Sequence, residues 1–147
     1  MIMFVRQISV FLENVHGALY ELTQLLGEND INLLALSIAD TANFGIVRCI
    51  TRESEIERTT DILHEHGYVA QVHNVLCVCV PHEPLGLAKV LKIIEDAGIS
   101  VEYLYSFYES TGSDAVLIIR PSEKTRCFNI LTENGIRLLE QEQVDEL

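Results

Sequence analysis

Apolar and polar positions along this chain change period several times, and each change predicts an element. Phe4–Leu12 alternates, with Val5, Ile8, Val10 and Leu12 among its apolar positions, which is the period of a half-buried strand. From Gly17 the period lengthens. Leu19, Leu22 and Leu26 recur at helical spacing, so residues 17–29 are expected to form an amphipathic helix. The breaker pair Asn29-Asp30 closes it, and Ile31 restarts an apolar run. Leu33–Ala39 and Phe44–Thr51 read as two strands joined by a turn at Thr41-Ala42-Asn43. Ser54 followed three residues later by Glu57 is a capping-box pattern, predicting a helix to about His66 that Gly67 terminates. Tyr68–His73 is the last strand of the series.

The series then recurs. A shift of 68 residues brings Val10 onto Val78, Leu19 onto Leu87, Ile31 onto Ile99 and Leu36 onto Leu104. Arg58 falls on Arg126, Ile62-Leu63 on Ile130-Leu131, and Gly67 on Gly135, with one two-residue insertion at the turn near Gly112. The second copy reads as strand 75–80, helix 85–97, strands 100–109 and 114–120, helix 122–134 and strand 136–140. The acidic tail from Glu140 to Leu147 is expected to fray. Two βαββαβ units make an α+β chain of ferredoxin-like type. The expected domains are residues 1–73 and 74–141, followed by the tail 142–147. A unit of this size buries a marginal fraction of its surface, so pairing of units is the physical remedy.

Composition narrows the function. With 147 residues and 48% hydrophobic content the chain is globular, and no apolar run reaches the roughly 18 residues of a membrane helix. Its opening, MIMFVRQISVFL, lacks the features of a signal peptide, which makes the cytoplasm the expected compartment and no membrane the expected context. Net charge is −12, from 22 acidic against 10 basic residues, and the basic ones are scattered. Nucleic acid is therefore not an expected partner.

Chemistry-bearing residues form no catalytic set. Cys49, Cys77, Cys79 and Cys127 lack metal-ligand spacing and read as buried thiols. His64 and His66, two apart on a helix, point in different directions. No nucleophile elbow, phosphate loop or nucleotide-binding glycine fingerprint is present, so neither an enzyme nor a cofactor or metal is expected. The strand-to-helix turns carry more information. Gly17 permits positive φ or close approach of a ligand, and the free N–H groups of the following helix offer a place for a small anion such as a carboxylate. His16 and His82 lie in these turns, where each would either bond a ligand or cap the turn. Asn14 and Asn32 are either ordinary turn residues or two carboxamides that bracket a bound zwitterion.

These residues resemble a known family. Glu13-Asn14-Val15-His16-Gly17-Ala18-Leu19, running on to Asp30-Ile31-Asn32-Leu33, is similar to the ACT-domain signature Asp/Asn-x-Pro-Gly-x-Leu, then a helix, then Gly-Ile-Asn-Ile. The second copy, His82-Glu83-Pro84-Leu85-Gly86-Leu87 running to Ala97-Gly98-Ile99-Ser100-Val101, resembles it too. The resemblance implies two units side by side in one eight-stranded antiparallel sheet with the helices on one face. It also implies a non-catalytic regulatory protein that binds a small amino acid where two ACT units meet, works as a homodimer, and signals to a partner such as an amino-acid metabolic enzyme. The alternative it offers is a regulatory subunit held permanently by a biosynthetic enzyme such as acetolactate synthase. By position, the implied ligand-binding residues are Asn14, Val15, His16, Gly17, Ala18, Asn32 and Leu33 in the first copy. In the second they are His82, Gly86 and Ser100. His16 stands where the family has proline, and the second copy's glycine is displaced by one, to Gly86.

Overall fold

A computed structural model of the chain describes residues 4–40, 44–108, 112 and 114–147. The expected turn Thr41-Ala42-Asn43 lies outside the described residues, as does most of the insertion around Gly112. The chain divides into two compact units, Arg6–His73 and Asn74–Leu147, the latter also including Phe4 and Val5.

The first unit runs β1 (Val5–Glu13), α1 (Ala18–Glu28), β2 (Ala35–Asp40), β3 (Phe44–Ile50), a 3-10 turn at Glu53–Glu55, α2 (Ile56–Glu65) and the opening of β4 (Val69–Pro81). Its strands lie in the order β2-β3-β1-β4. Antiparallel register sets Ile8 opposite Cys49, Val10 opposite Val47 and Leu12 opposite Gly45, which puts the even positions of β1 on the helix-covered face. There Ile8 and Val10 meet Leu22 and Leu26 of α1 and Leu63 of α2 in one buried cluster.

The second unit continues through β4 to α3 (Gly86–Asp96), β5 (Val101–Ser106), β6 (Asp114–Pro121), α4 (Lys124–Glu133), β7 (Leu138–Leu139) and α5 (Gln141–Asp145). Its order is β5-β6-β4, with β7 on the other side of β4. Leu76, Val78, Val90, Ile94, Ile119 and Leu131 form its buried cluster. The shift of 68 residues seen in the sequence is thus a map of core onto core: Leu22 and Val90, Leu26 and Ile94, Ile31 and Ile99, Leu63 and Leu131 are all buried. Arg58 and Arg126 share a task as well. Each donates from its guanidinium to the carbonyl at the end of the preceding helix, Arg58 to Asn29 O and Arg126 to Ala97 O. A cation there satisfies an orphan carbonyl at the negative end of the helix dipole.

Three expectations are corrected. The described strands number seven, not eight, because residues 69–81 run as one strand. Asn74 alone stands between His73 and Val75, with no glycine or proline to end it. The Ser54–Glu57 capping box does not form: the 3-10 turn occupies Ser54, Glu55 is the N-cap of α2, and no side chain caps it. The tail does not fray. Glu140 and Gln143 make a reciprocal capping box that starts α5, and Val144 is fully buried, so a box and an apolar anchor hold the segment despite its charge.

Candidate functional site

In the first unit the chain leaves β1 through a tight turn. Val15 N–H donates to Glu13 O at 2.9 Å, Ala18 N–H to Val15 O at 3.3 Å, and Gly17 sits between them at φ +84°. That left-handed conformation is where glycine carries no Cβ penalty. α1 then starts without a side-chain cap. Val15 O takes the Ala18 N–H, and the next N–H groups, of Leu19 and Tyr20, have no partner inside the helix.

Two hollows adjoin this turn. Asn14 lines a shallow one of about 100 Å³ together with Val15, Ala18 and Ile38. Val15 and Ala18 also line a larger cleft of about 380 Å³. Its other walls include Phe11 and Glu13 of β1, Glu21 of α1, Phe44 of β3, His66 and Tyr68 ahead of β4, and Val69 at the start of β4. The Phe11 and Phe44 rings lie 5.7 Å apart, tilted by 51°. His66 Nδ1 is 2.9 Å from Ile62 O, and since a carbonyl only accepts, Nδ1 is the donor. Desolvation, and secondarily the carboxylate of Glu21, raise the Tyr68 phenol above its ordinary value of 10.0, so it stays protonated at neutral pH.

The expected site residues divide. Asn14, Val15 and His16 are exposed at the turn, with Gly17 and Ala18 half-buried beside them. Asn32 is exposed and Leu33 half-buried in the segment between α1 and β2, and neither lines either hollow. Ile31 anchors that segment in the core, and Leu34 N–H donates to Ile50 O at 2.8 Å.

The second unit repeats the turn's hydrogen bonds, Glu83 N–H to Pro81 O at 2.9 Å and Gly86 N–H to Glu83 O at 3.0 Å. The positive φ remains at the position matching Gly17, which is now Leu85 at +68°. Gly86 is glycine for another reason: a Cβ there would lie 2.1 Å from Pro81 O. His82 is exposed. Ser100 is tied to the entry of α4, its N–H bonding Ser122 Oγ at 3.1 Å and its carbonyl receiving Ser122 N–H at 2.8 Å.

Cys49 is pushed up to about 12 and Cys127 to about 11 by burial, so both thiols stay protonated and are poor nucleophiles. Among the described residues, no three His, Cys, Asp or Glu side chains converge to hold a metal ion, and no helix is long and apolar enough to cross a membrane. Sequence reasoning missed Phe11, Glu21, Phe44, His66 and Tyr68. Of the cleft's walls Glu13, Val15 and Ala18 lie inside the recognised motif, and no spacing rule links residue 11 to 44 or 66; the fold alone joins them.

The model of the family described as ACT domain pair matches residues 3–147. Among solved structures, a protein from Bacteroides thetaiotaomicron is 35% identical, with 99% of each chain covered and a TM-score of 0.89. The regulatory subunit of aspartate kinase from Thermus thermophilus, in a ligand-free form, is 15% identical over 90% of this chain and 93% of that one, with a TM-score of 0.63. The corresponding subunit from Thermus flavus is 14% identical over 92% and 94%, at 0.62. At that identity the Thermus likenesses show the fold. No curated protein matches the chain.

Proposed function

The chain belongs to the ACT domain pair family, and from that premise we propose that it is a non-catalytic regulatory protein whose effector is an amino acid bound at the strand-to-helix turn of the first unit. One observation carries the reading: the cleft of about 380 Å³ shares Val15 and Ala18 with the family's signature turn. An amino acid fits the two parts differently. Its α-carboxylate suits the Leu19 and Tyr20 N–H groups at the start of α1, and the Asn14 carboxamide can accept from its ammonium group. Its side chain enters the cleft.

Exposed Phe11, Val15 and Phe44 leave an apolar rim beside the bound ligand. We assign that rim to an ACT unit of a second copy of the chain, so that the ligand stabilises one packing of the homodimer and thereby changes affinity for a partner. Four buried free cysteines suit a reducing compartment, which favours the cytoplasm. The same apolar rim favours one other reading, a subunit held permanently by an amino-acid biosynthetic enzyme, which predicts poor solubility of the chain alone.

Calorimetric titration of Asn14→Ala tests the placement. Asn14 is exposed, so the fold should survive with its melting temperature unchanged, while affinity for the effector falls about tenfold. Unchanged affinity would move the site away from the turn.

A further inference from the structure

The chemistry of the cleft is lopsided. Two carboxylates, Glu13 and Glu21, line it, and no lysine or arginine does. Aromatic Phe11, Phe44 and Tyr68 share its walls with Leu12, Val15 and Val69, and aromatic π-electrons attract a cation and not an anion. His66 also lines the cleft, with Nδ1 donating to Ile62 O. The surrounding field has the same sign, since the chain carries a net charge of −12.

A neutral side chain would gain apolar contact from such walls but would not engage the two carboxylates. An acidic one would meet two like charges with no compensating cation. We infer that the effector of the first unit carries a positively charged side-chain amine, seated between Glu13 and Glu21 against the Phe11 and Phe44 rings. The inference takes the proposed amino-acid site as its premise and names the class of amino acid it serves. The α-carboxylate of such a ligand stays outside the acidic cleft, at the start of α1, and only the cationic end is drawn in. The ligand therefore lies with its two charges apart.

The test is a matched pair of ligands on the full chain. Ornithine and norvaline have the same carbon skeleton and differ by the terminal amine. Titration calorimetry should find ornithine bound at least tenfold more tightly than norvaline, with the difference shrinking as salt rises. Glu21→Gln, a change at an exposed residue, should reduce ornithine affinity about fivefold or more and so narrow the gap between ornithine and norvaline. Glu133→Gln, on the exposed face of α4, should change neither. Equal binding of the two ligands, or ornithine binding indifferent to both Glu13→Gln and Glu21→Gln, would overturn the cationic class while leaving an amino-acid site in place. Binding of acidic or neutral amino acids alone would do the same. Absence of binding by every amino acid up to millimolar concentration would overturn both the class and the site.

Discussion

Gly86→Ala should destabilise the protein, although it replaces a helical glycine by the best helix former. Gly86 is the first residue of α3, and its ideal Cβ would lie 2.1 Å from the carbonyl oxygen of Pro81. A carbon and a carbonyl oxygen approach favourably no closer than about 3.3 Å, so the backbone must open by about 1 Å. The obstacle is main chain and not the end of a flexible side chain, so no rotamer change relieves it. Overpacking of this kind costs about 1–3 kcal/mol. Against it stands a helix-propensity gain of at most about 1 kcal/mol, reduced at a first-turn position. The net cost is about 1–2 kcal/mol, or a melting temperature lower by roughly 3–6 °C for a chain of this size. The control is Gly27→Ala in α1, where a Cβ meets nothing within 4 Å and the propensity term acts alone. That variant should be about 0.5–1 kcal/mol more stable than the parent. Thermal and urea unfolding of both variants decide the matter by sign. Stabilisation by Gly86→Ala comparable to that by Gly27→Ala would refute the close approach of Pro81, and with it the reason given for a glycine at this position.

Leu85→Gly should stabilise by about 0.5–1 kcal/mol, because it relieves a leucine at φ +68° while 71% of that side chain is already exposed; differential scanning calorimetry should show a rise of roughly 2 °C. Arg58→Ala and Arg126→Ala should each lower stability by about 1 kcal/mol in urea unfolding, since each removes a guanidinium from the carbonyl ending a helix; equal stability of parent and variant would show those bonds to be idle. Cys49 gives a pH dependence. The thiol ionises near 9.0 when unfolded and at about 12 in the folded chain, so above pH 9 the unfolded state holds fewer protons and stability falls as pH rises. Its contribution is complete below pH 9 and declines through pH 12, and the urea midpoint between pH 9 and 11 should fall less steeply in Cys49→Ala than in the parent.

The repeat was legible in the sequence because both copies put the same side-chain classes at the same core positions, and burial of Leu22, Leu26, Val90 and Ile94 follows directly from helical spacing. Gly67 and Gly135 were legible as helix terminators because the left-handed conformation they adopt, at φ +84° and +76°, favours one residue type. The capping box misled because Ser54 and Glu57 satisfy a local pattern that a 3-10 turn at Glu53–Glu55 also satisfies. The tail misled because charge density outweighed two buried residues, Gln141 and Val144, that only tertiary packing reveals. Half of the candidate site was visible, the half that lies in one stretch from Asn14 to Ala18. The cleft was not, since Phe11, Glu21, Phe44 and the pair His66 and Tyr68 come from four places in the chain and share no spacing. Gly86 was visible as a glycine in a turn, but its cause, a carbonyl five residues back, required coordinates.

The central claim is that the chain is a sensor of an amino acid, and a thermal-shift screen of the full chain against the twenty amino acids addresses it most directly. A ligand present at a hundred times its dissociation constant stabilises by about 2.7 kcal/mol, which is several degrees for a protein of this size. The account predicts a selective rise with a basic amino acid, cut to about half in Asn14→Ala by its tenfold weaker binding, without a change in the unliganded melting temperature. No rise with any amino acid at millimolar concentration would contradict it.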